Sequence, residues 1–296
     1  MVTVKDRIKR AAPRQAREQL RELLVKYGER TADQRPLPDF LVIGTKRGGT
    51  TSLWRYLLQH PLVPPLFPAW NTKTSHYFEE NFGRGEAWYR SHFPTRRQRA
   101  ALERRHGGPS KVGEAAPLYM FHPLAAARVA ALMPQARMVV LLRDPVERAY
   151  SHWKERRTEG KEPLDFAAAL AAEPDRTAGE RERLLADPTY VSEAYDWYTY
   201  RERGRYLDHL EPWLDRFDRS QLLFLASETF YRDPAASYAK ILDFIGLPPY
   251  QLPAYDVFND RPSRGMDDAV RAELRSYYRP HNEALADRLG MTFAWS

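Results

Sequence analysis

The stretch "FLVIGTKRGGTTSLWRYLLQHP", Phe40 to Pro61, decides the fold. Its first five residues form an unbroken apolar run, which suits a strand buried on both faces. A glycine-bearing turn follows, and the residues after it repeat their apolar positions at helical spacing. Gly44, Gly48 and Gly49 permit a tight bend that brings backbone N–H groups toward a ligand, and Thr50, Thr51 and Ser52 stand where the helix begins. A helix start offers unpaired N–H donors and the positive end of the helix dipole. Lys46 and Arg47 add two fixed charges, so the turn suits a phosphate or a sulfate. A purely structural role for the glycines leaves two cations and three hydroxyls unexplained.

The nucleotide-binding pattern GxxxxGK[ST] places its lysine directly before the hydroxyl residue, but here Gly49 precedes Thr50 and the cations come earlier. That departure weakens an ATP or GTP reading. A second anion feature lies in "VVLLRDPVERAYSHW". Arg143 ends an apolar run, Asp144 is placed to cap a helix, Pro145 suits its first turn, and Ser151 follows two turns along. Arg143 therefore falls at the carboxyl edge of a parallel sheet, where ligands of open α/β folds collect. Two anion sites on one rim imply a ligand with two separated anionic ends.

Further apolar runs at 138–143 and 222–226 read as buried strands, and "KVGEA" at 111–115 as a short one. Helical pattern falls at 52–59, 85–92, 123–132, 145–158, 166–172, 196–217, 233–245 and 267–289. Residues 173–193 read as a loop or broken helix around Pro174 and Pro188, and the proline-rich 247–265 as an ordered surface loop. The alternation predicts an α/β, P-loop-like three-layer sandwich with a central parallel sheet flanked by helices. The expected domain runs over 39–296, preceded at 1–38 by a basic amphipathic helical extension.

Hydrophobic residues make up 43% of the 296-residue chain, enough for a sizeable core. With no cysteine there are no disulfides and no thiolate chemistry, and the eight scattered histidines suggest no metal site. Residues 1–35 hold ten Lys and Arg against five Asp and Glu, which is most of the net +7. The nearly neutral remainder argues against a nucleic-acid partner. In the extension Val4, Ile8, Leu20, Leu23, Leu24 and Tyr27 recur at helical spacing, which favours docking on the domain or in a homodimer over peripheral contact with an anionic membrane. No window has the length of a membrane span and no signal-peptide pattern opens the chain, so the expected location is cytoplasmic.

The pairing of [KR]xGTT[ST] after one strand with RxPxxRxxSxxW after a later one resembles the sulfotransferases that use 3′-phosphoadenosine 5′-phosphosulfate (PAPS). Within that family the chain is most similar to the heparan-sulfate-type and related bacterial enzymes. "KTSHYFEENFGRGEAWYRSHFP", "VGEAAPLYMFHP", "RGRYLDHLEPWLDRF" and "LRSYYRPHNEALADRLG" resemble further family segments in the family's order. The resemblance implies a transferase of the EC 2.8.2 type that leaves the product PAP and needs no metal. It places the 5′-phosphosulfate on Lys46, Arg47, Gly48, Gly49, Thr50, Thr51 and Ser52. It gives the 3′-phosphate to Arg143 and Ser151, with a looser match at Ser263, Arg264 and Gly265. Arg47 stands where the family usually has a lysine that neutralises the bridging oxygen. Arginine is a permanently charged fork, able to stabilise the departing phosphate but a poor proton donor. The family's glutamate base falls on Thr74, which cannot serve. His76, with an ordinary pKa near ~6.5, is the expected base, Lys73 helps to orient the donor, and Glu79 and Glu114 are reserves. The expected acceptor is a small molecule or carbohydrate: a hydroxylated sugar, glycolipid or secondary metabolite. Competing readings are a P-loop kinase or NTPase and a non-catalytic nucleotide-fold module that binds an anionic partner.

Overall fold

A computed structural model describes residues 14–68, 72–256 and 265–295. Four strands, β1 (Phe40–Gly44), β2 (Gly113–Ala115), β3 (Arg137–Leu142) and β4 (Leu222–Ala226), form one sheet in the order β2-β1-β3-β4. All pairings are parallel. Leu41, Val42, Ile43, Val139, Val140 and Leu141 have no exposed surface, which accounts for the uninterrupted apolar runs. Each such side chain contributes about 1.5–3 kcal/mol by leaving water.

Helices flank this sheet: α1 (Arg14–Arg30), α2 (Thr50–Leu57), α3 (Gly85–Arg90), α4 (Arg96–His106), α5 (Ala125–Leu132), α6 (Pro145–Thr158) and α7 (Phe166–Thr177) come first. Then follow α8 (Glu180–Ala186), α9 (Glu193–Tyr198), α10 (Tyr206–Leu214), α11 (Ser227–Arg232), α12 (Pro234–Ile245) and α13 (Asp268–Leu289). The chain leaves β1 to build β2 on one side and returns to build β3 on the other. The carboxyl ends of β1 and β3 therefore meet at the switch point where α/β sheets bind ligands. No described helix is long and apolar enough to cross a membrane.

Three helical expectations change. The expected helix over 196–217 is two, α9 and α10, joined by a 3-10 turn at Glu202–Gly204. Gly204 packs so closely on Tyr278 that a Cβ would sit 2.5 Å from its ring, and the buried Glu173 accepts from the Arg201 and Glu202 N–H groups at 2.6 and 2.8 Å. Tertiary contacts thus hold the break open. Residues 173–193, read as loop or broken helix, contain the end of α7 and all of α8. The helix α4 lacks an apolar stripe and escaped periodicity, although Thr95 and Gln98 form a reciprocal capping box at its start.

The extension's α1 lies against α3, with Val25 buried and Gly28 tight against Ser91. Leu20, Leu23 and Tyr27 stay exposed on its outer side, while Val4 and Ile8 lie outside the described residues.

Candidate active site

Beyond β1 the backbone turns sharply, and the Thr45 N–H donates to the Leu141 carbonyl of β3 at 2.7 Å. Gly49 then takes φ 99° as the residue before α2, and a Cβ there would sit 2.8 Å from the Tyr231 hydroxyl. Only glycine meets both demands. Ser227, the first residue of α11, donates its hydroxyl to the Gly48 carbonyl at 2.6 Å and ties the turn to the end of β4. The first N–H groups of α2 have no partner within the helix, and Thr50 and Thr51 at its start line the cavity.

The second anion element meets the first directly. Arg143 donates to the Arg47 carbonyl at 3.0 Å, while the Arg47 guanidinium donates to Ser151 Oγ at 3.0 Å and to Glu155 at 2.8 Å. Arg47, Arg143 and Ser151, spread over more than a hundred residues of sequence, therefore touch. Asp144 caps α6 by accepting from the Val146 N–H at 2.8 Å, which fixes the helix that carries Ser151. Lys46 pairs with Asp196 at 3.3 Å, and Arg203 pairs with the same carboxylate at 3.0 Å. Burial acts to raise the Asp196 pKa, but Arg203 and Lys46 outweigh it and hold the group down to about 2. Burial lowers the Lys46 pKa to about 8 despite Asp196.

Across the cavity stands His76. Its Nδ1 lies 2.5 Å from Glu79, whose carboxylate is almost wholly buried. Burial alone would lower the His76 pKa, but the hydrogen bond and charge of Glu79 prevail and lift it to about 8. The contact with Glu79 thus favours the protonated imidazole, which the sequence alone does not show. Thr74, in the position of the missing glutamate, accepts from the His76 N–H at 3.0 Å. His76 and Arg47 have φ of 55° and 71°, the positive-φ non-glycine residues among those described, and each costs roughly 1–3 kcal/mol in strain. Lys73 donates to Thr51 Oγ1 at 3.2 Å, and burial lowers its pKa.

Lys46, Arg47, Gly49, Thr50, Thr51, Lys73, His76 and Arg143 all line one cavity of about 630 Å³. Glu114 is elsewhere. It is fully buried and accepts from the Ser75 N–H and hydroxyl and from the Tyr89 and Tyr119 hydroxyls at 2.7–2.9 Å. With its oxygens occupied away from the cavity, Glu114 serves as a hub beneath the His76 turn, and its reserve role as a base is withdrawn. Ser263 and Arg264 lie outside the described residues, and Gly265 comes near α6, where a Cβ would sit 3.5 Å from the Tyr150 hydroxyl. Sequence reasoning missed Glu155, Asp196, Ser227, Glu228 and Tyr231, which share the cavity wall. Ser227 and Glu228 directly follow the third apolar run, so the rule that singled out Arg143 would have found them too.

The family model for the sulfotransferase domain matches residues 37–257. The chain belongs to the sulfotransferase family. A crystal structure of a sulfotransferase from Alicyclobacillus acidocaldarius is 28% identical, with a TM-score of 0.64 over 88% of this chain and 99% of that one. Heparan sulfate glucosamine 3-O-sulfotransferase 3B1 of mouse is 27% identical over 89% of this chain and 66% of its own length. Its human counterpart is 29% identical, over 88% and 65%. The sulfotransferase chain thus spans slightly less than two thirds of the length of these curated relatives. For this family's anionic donor the site offers a fitting set: a helix start and four cations on the cavity wall, one of them bonded to the Ser151 hydroxyl behind it.

Proposed function

We propose that this protein transfers a sulfuryl group from PAPS to a hydroxyl of a small-molecule or carbohydrate acceptor. One observation carries the reading: the turn before α2, Arg143 and His76 line one cavity, with Ser151 bonded to Arg47 and Glu79 to His76 behind its wall. When bound, PAPS supplies an activated sulfuryl group at its 5′ end and a second anion at its 3′ end.

The turn from Lys46 to Ser52 would hold the 5′ end with backbone N–H groups and the α2 dipole, an arrangement that needs no metal. Arg143 and Ser151 would hold the 3′ end. Arg47, already bridging Ser151 and Glu155, places a permanent charge between the two. Lys73, beside Thr51 at the start of α2, stabilises negative charge that gathers at the 5′ side during transfer. His76 Nδ1 is occupied by Glu79, so Nε2 is the atom that accepts the acceptor's proton. Glu79 fixes the ring and stabilises the imidazolium that results. With its pKa lifted to about 8, His76 becomes ready to accept a proton as the pH rises through that value. The rate should therefore rise with pH and level off above that value. A bound donor adds negative charge and moves the inflection further up.

Incubation with PAPS and a panel of hydroxyl-bearing acceptors, read by mass spectrometry, tests the proposal. A product heavier by one sulfuryl group, formed together with PAP and in the presence of EDTA, is expected. PAP binding without transfer to any acceptor would reduce the protein to a nucleotide-binding module.

A further inference from the structure

A second cavity, of about 310 Å³, opens beside the first between the 118–122 turn and the α8–α9 segment. The two share Glu80, Leu118 and Asp196 as walls, so a molecule lodged in the second reaches toward His76. Its volume is at the lower end of the roughly 300–1,000 Å³ typical of small-molecule sites. Phe121 and Tyr195 stack at 4.4 Å in its wall, Trp197 and Leu184 extend that surface, and Val191 stands 49% exposed at the edge.

Two cations of this cavity, Arg203 and Lys161, lie over aromatic faces. Arg203 is buried, pairs with Asp196 and lies 4.2 Å over the Phe121 ring. Lys161 sits 3.7 Å over the face of Trp197. His122 is driven down to about 4 by burial and by Arg128, so it is neutral. On the other side of the balance Glu80 and Glu193 are exposed, and among the described residues no cation other than His76, 4.0 Å from Glu80, pairs with either. A polyanion would meet two exposed carboxylates, while an uncharged apolar body would meet rings. Two polar atoms of wall residues, Tyr195 Oη and Arg203 Nη1, are buried without a hydrogen-bond partner.

We propose that this side cavity is the acceptor site and that it selects an uncharged alcohol with a compact aromatic or alicyclic body. The inference rests on the sulfuryl-transfer reading and narrows its substrate class. The step balances: the acceptor oxygen forms a bond to sulfur, the bond from sulfur to the 5′-phosphate oxygen breaks, and the hydroxyl proton passes to His76.

The test uses the full chain with PAPS, 2-naphthol as the neutral alcohol and an unsulfated glucuronate-containing polysaccharide as the polyanion, and PAP affinity is measured in parallel. Transfer to 2-naphthol with the higher kcat/KM is expected. Val191→Arg, at the exposed edge, should raise the naphthol KM by about tenfold and leave PAP affinity unchanged. The proposal is overturned if the polysaccharide is the better acceptor, if Val191→Arg leaves the naphthol KM unmoved, or if PAP binds and naphthol is not sulfated. Failure to bind PAP at all would instead overturn the underlying transferase reading.

Discussion

The rim at the ends of β1, β3 and β4 and the wall that faces it are made from different kinds of sequence. At the rim each chemical group directly follows a buried strand: the Lys46–Ser52 turn follows β1, Arg143 follows β3 and Ser227 follows β4. Strand ends fix position to within a residue, so an anion site here is a local property of short motifs. The facing wall, which carries His76, Glu79, Leu118, Asp196 and Trp197, comes from turns and short helices held by contacts distant in sequence. Donor binding should therefore be robust to changes in the wall, while turnover and selectivity should depend on it.

The sharpest way to break that contrast is His76→Ala. It should lower kcat by about 100-fold or more with the PAP dissociation constant unchanged. An equal loss in both would mean that the wall also helps to hold the donor. Glu114→Gln comes next. It removes the charge that four buried donors share, and thermal unfolding should show a loss of about 2–3 kcal/mol while PAP still binds. Unchanged stability would remove Glu114 as the support of the His76 turn.

Glu79→Gln sharpens the comparison by its pH profile. Without the carboxylate the burial that lowers the His76 pKa is no longer offset by Glu79, so the activity rise moves from about 8 to lower pH. A stationary inflection would assign the titration to another group. The smallest effect belongs to Thr74→Val, which deletes one hydrogen bond to the His76 backbone, worth about 0.5–1.5 kcal/mol. A modest fall in kcat without a change in the inflection is expected.

The same contrast explains what the sequence revealed. Buried parallel strands must be apolar throughout, so β1, β3 and β4 stand out by composition, and the glycines, hydroxyls and cations after them have a physical reason to be there. Gly49 is legible because its φ and the nearness of Tyr231 leave no alternative residue. The wall lacked such signals. His76 was found, but its protonation state depends on Glu79, three residues on and buried by side chains that no local pattern specifies. Glu114 looked like a chemical group because it ends an apolar run, yet Tyr89, Tyr119 and Ser75 claim both its oxygens. Asp196 was placed at the start of a long helix, whereas α9 ends at Tyr198 and Arg203, in the 3-10 turn beyond, pairs with it.

The central claim is that two anion grips on one rim hold opposite ends of a single nucleotide. Calorimetric titration of wild type and Arg143→Ala with PAP and with 5′-AMP, which lacks the 3′-phosphate, tests it most directly. The account predicts that wild type prefers PAP by about 10- to 100-fold, the worth of a charge-assisted contact, and that Arg143→Ala loses this preference while its weak affinity for 5′-AMP is kept. Equal binding of the two nucleotides by wild type, or a preference that survives in Arg143→Ala, would contradict it.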